Sequence, residues 1–314
     1  MFPKPPFGLD PMRKIDPELA GELTEKQLRL IEAGHAIEVD EAKRAGFLGF
    51  MARVMAQASL PHSAVEGAEY RRVNGDFVLS IMTPQQIGLP YGSIPRVLLT
   101  WISTEAVRTQ CRDLELGKSL SVFMGKLGMS PTGGANGSIN RLKTQSRSLF
   151  ASTISTSYQG TRGTIDAGFR IAKSFTLDDA WWSAVDAGEG GGVVHDGGQP
   201  PVLTLSADFF EELLARPVPL DLRAVAVLKS SALDLDLYIF LTYRASYLRA
   251  PTTIPWGLLA EQFGTGYARV RDFKAAVKES LKKIYAVYPD LKAEVTDEGL
   301  KLRPGRTHVR RLAP

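Results

Sequence analysis

Apolar residues recur at helical spacing in two segments that each carry a separate row of polar and basic residues. Over residues 269–283, Val270, Phe273, Val277 and Leu281, continued by Ile284, mark an inward face, while Arg271, Lys274, Lys278 and Lys282 run along the other side. In residues 138–150 the inward set is Ile139, Leu142, Ser146 and Leu149. Asn140, Arg141, Thr144, Arg147 and Ser148 point outward, with Lys143 and Gln145 on the flanks. Two strand-like runs follow each stripe. The later pair, LKAEV and LKLR, is joined by TDEG; the earlier pair, ASTISTSY and GFRIAKSF, is joined by a GTRGT turn with Arg162 at its tip. Ahead of each stripe lie a helix, a short extended piece, a second helix and a turn. This order, met twice, predicts an α+β, predominantly helical chain of two tandem winged-helix domains, the second a divergent copy of the first.

The remaining pattern supplies the elements around them. Thr24 and Gln27 have capping-box spacing ahead of a helix through Leu28 and Ile31, and residues 41–58 read as a second helix with Phe47, Phe50, Met51 and Val54 on one side. These form an amino-terminal helical extension. Asn74-Gly75 sits between extended runs as a tight hairpin turn. Pro95 suits the first turn of a helix containing Val97, Leu98, Trp101 and Ile102; residues 113–116 are extended; Ser119 caps a helix that Gly128 ends. Residues 186–200 hold six glycines and read as a loop or linker. Beyond it come the strand VLTLS, a helix with Phe209 and Leu213, and apolar helices over residues 221–229 and 233–248. The organisation expected is a Pro-rich arm at 1–20, the extension and first winged helix at 21–185, the loop at 186–200, the second winged helix at 201–304 and a basic tail at 305–314.

Charge sharpens this picture. The overall net of +4 conceals a segregation: −2 over residues 1–95, +7 over 96–175, −8 over 176–243 and +7 over 244–314. Two basic regions flanking an acidic one suit a polyanionic partner bound on defined faces. Cys111 is the only cysteine, which excludes an intramolecular disulfide and fits a cytoplasmic protein. No apolar run reaches membrane-spanning length, and the amino-terminal MFPKPPFGLDPMRK lacks a continuous apolar signal core.

The chemistry that these residue types offer is recognition of duplex DNA. Arginine pairs bidentately with guanine and asparagine with adenine in the major groove. Asn140, Arg141 and Arg147 are therefore the candidates for base contact, with Lys143 and Thr144 nearer the phosphates. In the second unit Arg269, Arg271, Lys274, Lys278 and Lys282 line the corresponding helix. Arg162, Lys301 and Arg303 serve the wings, and Arg306, Arg310 and Arg311 a disordered phosphate-binding tail. A basic stripe alone is usually a solvated face, but two stripes, each placed after a helix and turn and before a hairpin, favour DNA. Catalysis finds little support. His35, His62, His195 and His308 are scattered, the glycines at 133–137 lack the Lys-Ser/Thr of a phosphate loop, and Tyr243 and Tyr247 read as core. Trp181 and Trp182 read as packing residues. No catalytic residue, metal or cofactor is expected.

At the level of whole phrases the chain resembles the RepA-type replication initiators of bacterial plasmids. The resemblance is carried by GLPYGSIPRVLLTWISTEAVRTQCRDLELGKSLSVFMGKLG with NRLKTQSRSLFASTISTSY, by LSADFFEELLARPVPLDLRAVAVLKSSALDLDLYIFLTYRASYL, and by FGTGYARVRDFKAAVKESLKKIYAVYPDLKAEVTDEGLKLRPG, covering about residues 88–304. It fades in the glycine-rich segment and before about residue 80. The resemblance implies a protein that binds direct repeats at a plasmid origin, promotes strand opening, and helps recruit the host initiator and replicative helicase. It also implies exchange between a monomer active at the origin and a homodimer that represses its own gene. Residues 140–147 and 269–282 are then the two recognition helices. The alternative is a winged-helix transcriptional repressor without a replication role.

Overall fold

The computed structural model describes residues 24–160, 163–175, 181–182, 200–264 and 266–309. The amino-terminal part holds α1 (Glu25–Val39), β1 (Leu48–Met51), α2 (Arg53–Gln57), β2 (Glu69–Asn74) and β3 (Phe77–Met82). A first unit follows with α3 (Ser93–Thr109), β4 (Asp113–Glu115), α4 (Leu120–Lys126), α5 (Ser138–Ala151), β5 (Thr153–Gly160), β6 (Gly163–Arg170), β7 (Ala172–Phe175) and β8 (Val202–Leu205). Then α6 (Ala207–Ala215), β9 (Val218–Asp221) and α7 (Leu222–Leu228) lead to a second unit. This comprises α8 (Ala232–Ala245), β10 (Thr252–Pro255), α9 (Trp256–Phe263), α10 (Val270–Val287), β11 (Ala293–Val295) and β12 (Gly299–Leu302).

The repeated order has a structural counterpart. In both units the strand after the first helix pairs with the last strand, which pairs in turn with the middle one, giving antiparallel sheets β4-β8-β7 and β10-β12-β11. The first unit differs from expectation in its hairpin. ASTISTSY does not join β4; β5 pairs with β3, and β2-β3-β5-β6 form a separate four-stranded antiparallel sheet. The run GFRIAKSF divides at buried Ile171, so that β6 lies in one sheet and β7 in the other. Strand β8, expected to open the second domain, pairs with β4 and β7 on the other side of the glycine-rich segment. Period-two alternation specifies a strand but not its partner, which is why sequence assigned these edges wrongly.

Residues 41–58 also depart from the expected helix. The apolar run FLGFM is ambiguous between helix and strand, and here it forms β1, paired antiparallel with β9, before the short α2. Gly49 makes this approach possible: a Cβ there would lie 2.3 Å from Leu222 Cδ2. The capping box of α1 is as expected, with Thr24 Oγ1 accepting from Gln27 N at 3.3 Å and Gln27 Oε1 accepting from Thr24 N at 2.9 Å. Its other end is held by Arg223, which donates to Ala36 O at 2.7 Å and Asp40 O at 2.8 Å while paired with buried Asp221 at 2.6 Å. The amino-terminal extension is thus fastened to α7 and β9, far along the chain.

One aromatic cluster fills the first unit: Trp101 meets Phe123 edge-on at 5.1 Å, Phe123 lies 5.9 Å from Trp181, and Trp181 meets Trp182 at 5.0 Å. The tryptophan pair is core, as expected. Of the two tyrosines read as core, Tyr243 is half-buried, but Tyr247 is exposed, its hydroxyl accepting from Arg244 Nη1 at 2.7 Å. The helix ends at Ala245, so Tyr247 lies beyond it in the following turn, where the apolar spacing expected to continue through Leu248 no longer faces the core.

The two units are joined at their first helices. Arg96 of α3 is almost fully buried and donates to both carboxylate oxygens of Asp236 in α8, at 2.7 and 2.6 Å. It also donates to Leu60 O at 2.6 Å, Pro61 O at 3.2 Å and Gly92 O at 2.6 Å, and His62 Nε2 lies 2.7 Å from Asp236 Oδ2. Burial alone would raise the Asp236 pKa, but the Arg96 charge and the hydrogen bonds from His62 and Arg96 bring it below its ordinary value, so the carboxylate stays ionised.

The carboxy-terminal residues through Val309 are packed rather than a free tail. Tyr288 donates to Arg306 O at 2.5 Å; His308 stacks on Tyr288 at 4.5 Å, and its Nδ1 lies 2.7 Å from the Tyr238 hydroxyl. Arg310 and Arg311 lie outside the described residues. Burial pushes the His308 pKa from 6.5 down to about 4, and burial also lowers that of His62. A histidine whose folded pKa lies below its unfolded value takes up its proton on unfolding. Its stabilisation is therefore complete above pH 6.5 and is lost as pH falls from 6.5 to about 4. We expect the unfolding free energy from urea titrations to drop over this range with a slope of roughly 1.4 kcal/mol per pH unit from His308, to which His62 adds in the same direction. His308→Gln should flatten the slope, leaving the part due to His62; an unchanged slope would show that His308 protonates equally in both states.

Candidate nucleic-acid interface

Helix α5 begins from a loop closed on itself. Thr132 and Ser138 exchange hydrogen bonds at 2.8 Å, Thr132 N to Ser138 Oγ and Ser138 N to Thr132 Oγ1, and Ser138 Oγ donates to Ser130 O at 2.7 Å. Gly137 is required there, since a Cβ would stand 2.2 Å from Thr132 O. The glycines at 133–137 therefore make a tight turn, as read from sequence, and aim the helix outward.

The inward face of α5 is Leu142, Ser146, Leu149 and Phe150, all buried. Two residues placed outside or on the flank by spacing are buried too. Ser148 Oγ lies 3.4 Å from Ile87 O, and Gln145 Oε1 accepts from Tyr91 N at 2.8 Å, both against the segment leading into α3. Local periodicity did not reveal this second packing surface. Asn140, Arg141, Thr144 and Arg147 are exposed and Lys143 half-buried, together spanning one sector of the helix. Asn140 Nδ2 donates to Ala135 O at 2.8 Å, so one of its two N–H groups holds the loop. The helix carries no carboxylate, and among the described residues Arg141 and Arg147 form no salt bridge.

Helix α10 presents the second row. Phe273, Val277, Leu281 and Ile284 are buried, while Arg271, Lys278 and Lys282 are exposed and Lys274 half-buried. Arg269 stands just outside as the N-cap residue. The helix continues to Val287, four residues beyond the stripe seen in sequence, because Ile284 and Val287 both reach the core. Unlike the α5 arginines, these bases have acidic neighbours. Lys274 Nζ pairs with Asp297 at 3.0 Å and lies 5.5 Å above the Trp256 ring; Lys282 pairs with Glu279 at 2.7 Å, and Arg271 with Asp272 at 3.4 Å. On the adjoining hairpin Arg303 pairs with Glu294 at 2.9 Å, and Lys301 is half-buried, opposite Thr253 and Glu294 in register. Such exposed pairs contribute only about 0–1 kcal/mol each and are readily exchanged for phosphate.

The structure thus places the expected residues on two helices and one hairpin. Arg162 lies outside the described residues. Sequence reasoning missed exposed Arg170 and Lys173 on β6 and β7, because it followed the helical stripes, missed exposed Tyr267 ahead of α10, and wrongly placed Val270, the exposed first residue of α10, on the inward face. Elsewhere, a shallow depression of about 340 Å³ along β3, β5 and β6 is lined by Val78, Ser80, Ser155, Thr156, Ser157 and Asp166, with no basic side chain to hold an anion. Among the described residues no three His, Cys, Asp or Glu side chains converge as a metal site, and no helix is long and apolar enough to cross a membrane.

Residues 89–257 match the family model described as plasmid encoded RepA protein. That is more than half of the chain, and the chain belongs to this family of plasmid replication proteins, the one its longest phrases resemble. No curated protein matches it. Two solved structures are similar in outline. The crystal structure of RctB domains 2-3 (RctB-155-483) is 15% identical with a TM-score of 0.47, covering 73% of this chain and 82% of that one. A selenomethionine derivative of domains 2 and 3 of RctB is 14% identical with a TM-score of 0.48, covering 81% and 96%. The family assignment rests on the sequence match.

Proposed function

We propose that this protein is a plasmid replication initiator that binds direct repeats at its origin through two winged-helix units, with α5 and α10 as the recognition helices. The observation that carries this reading is the repeated helix, strand, helix and helix, each copy closed by a three-stranded antiparallel sheet of the same pairing order and presenting a basic third helix, in a chain of the RepA family. A helix-turn-helix places its second helix in the major groove, where exposed side chains reach base edges and flanking bases neutralise phosphates. The cation-only face of α5 suits base reading by Arg141, with Arg147 and Asn140 beside it. The lysine-rich α10, with Lys301 and Arg303 on its hairpin, suits anchoring to phosphates. Binding is stoichiometric and needs no catalytic group; strand opening and recruitment of the host initiator and helicase follow from assembly on successive repeats.

The test is a transformation assay in which a plasmid carrying the candidate origin persists only when this protein is supplied. Failure with intact protein and complete origin would sink the reading. A second expectation concerns salt. Lys278→Ala should reduce the slope of log K against log[salt] by about 1, as for one lost phosphate contact. An unchanged slope in binding titrations would remove Lys278 from the interface.

A further inference from the structure

We propose that Val270 is a specificity-determining residue that reads the 5-methyl group of a thymine in the major groove; this rests on the duplex-binding reading above. Helical spacing puts Val270 with Phe273 and Val277 on the inward face, and both of those are fully buried, yet Val270 is 53% exposed. Residues 266–272 are all exposed, so the start of α10 up to Phe273 projects beyond the elements that cover its later turns. Single exposed apolar residues are ordinary on protein surfaces. What distinguishes Val270 is its setting.

It is the first residue of α10, a position where a β-branched side chain offers the helix no advantage. Arg269 and Arg271 flank it, Lys274 and Lys278 continue the cationic row, and Asp272, paired with Arg271, is the acid of that turn. Tyr267, 36% exposed, precedes it with its ring 5.4 Å from Phe273. An apolar point within a cationic rim complements a surface that is anionic at its edges and apolar at one place. The major groove at an A·T pair is such a surface, with phosphates on either side and the thymine methyl within. The amino-terminal residues of a recognition helix are those that approach base edges in this docking geometry. An apolar protein partner would instead meet a ring of charges.

The experiment uses the full chain and the duplex it enriches from a random-sequence library, with each thymine replaced in turn by deoxyuridine, which lacks only the methyl. At one position the wild-type protein should lose about fourfold in affinity, the factor expected for one buried methyl-sized group. Val270→Ser should lose a similar factor on the thymine duplex and nothing further at that deoxyuridine, with its urea midpoint and salt slope unchanged. Losses that multiply at every position, or no deoxyuridine effect on the wild type, would overturn the assignment while leaving duplex recognition intact. No preference for any duplex sequence would overturn the duplex-reading proposal and this one together.

Discussion

Arg96→Met is expected to lower the unfolding free energy by about 3–5 kcal/mol, the range for breaking a buried ion pair from one side. The guanidinium is enclosed by Asp236 and by the carbonyls of Leu60, Pro61 and Gly92, and the variant would remove its hydrogen bonds to all of these, leaving Pro61 O with Gly92 N at 3.0 Å. The larger part of the loss is the Asp236 carboxylate, which would remain buried with only His62 beside it. Removing both charges, with Arg96→Met and Asp236→Leu together, should recover a substantial part, because buried pairs contribute little net stability over well-packed apolar replacements. Urea unfolding of the two variants separates these terms. A single-variant loss under about 1 kcal/mol would mean that water reaches the cluster and that α3 and α8 are not held by it.

For function, the largest expected effect is at Arg141. Arg141→Ala should weaken binding to the origin repeat by about 1–3 kcal/mol and leave random duplex nearly unaffected, as expected when a bidentate base contact is removed. Arg141 is exposed on a helix without carboxylates and has no salt bridge among the described residues, so no competing acid must be displaced when it meets guanine. Competition titrations with repeat and scrambled duplexes give both numbers. Equal losses on the two would make Arg141 a phosphate contact and shift base reading to Arg147 and Asn140.

Much of this arrangement was legible because it is local. The capping residues Thr24 and Ser119, the tight hairpin that turns at Gly75 and the two basic stripes act over three or four residues, and each appears where spacing put it. The candidate site was legible to the same depth: Asn140, Arg141, Thr144 and Arg147 are exposed, as are Arg271, Lys278 and Lys282. The exceptions share a physical cause. Ser148 and Gln145 are buried by the segment before α3, over fifty residues earlier, and Val270 is exposed because the core reaches α10 only at Phe273. Neither neighbour nor edge can be seen in a helical wheel.

The sequence by itself determined the helices of both units, their basic faces, the repeated order of elements and the family, since periodicity, capping and long matching phrases are properties of contiguous chain. Only the tertiary structure decided which strands pair. It set β1 against β9, carried β5 and β6 into the sheet of β2 and β3, and closed the first unit with β8 from beyond the glycine-rich segment. It also brought Arg96 to Asp236 and folded His308 against Tyr288. A strand exposes the same hydrogen-bonding edge to any partner, and the two residues of a buried ion pair can lie anywhere in the chain; such choices are made by the packing of the whole molecule.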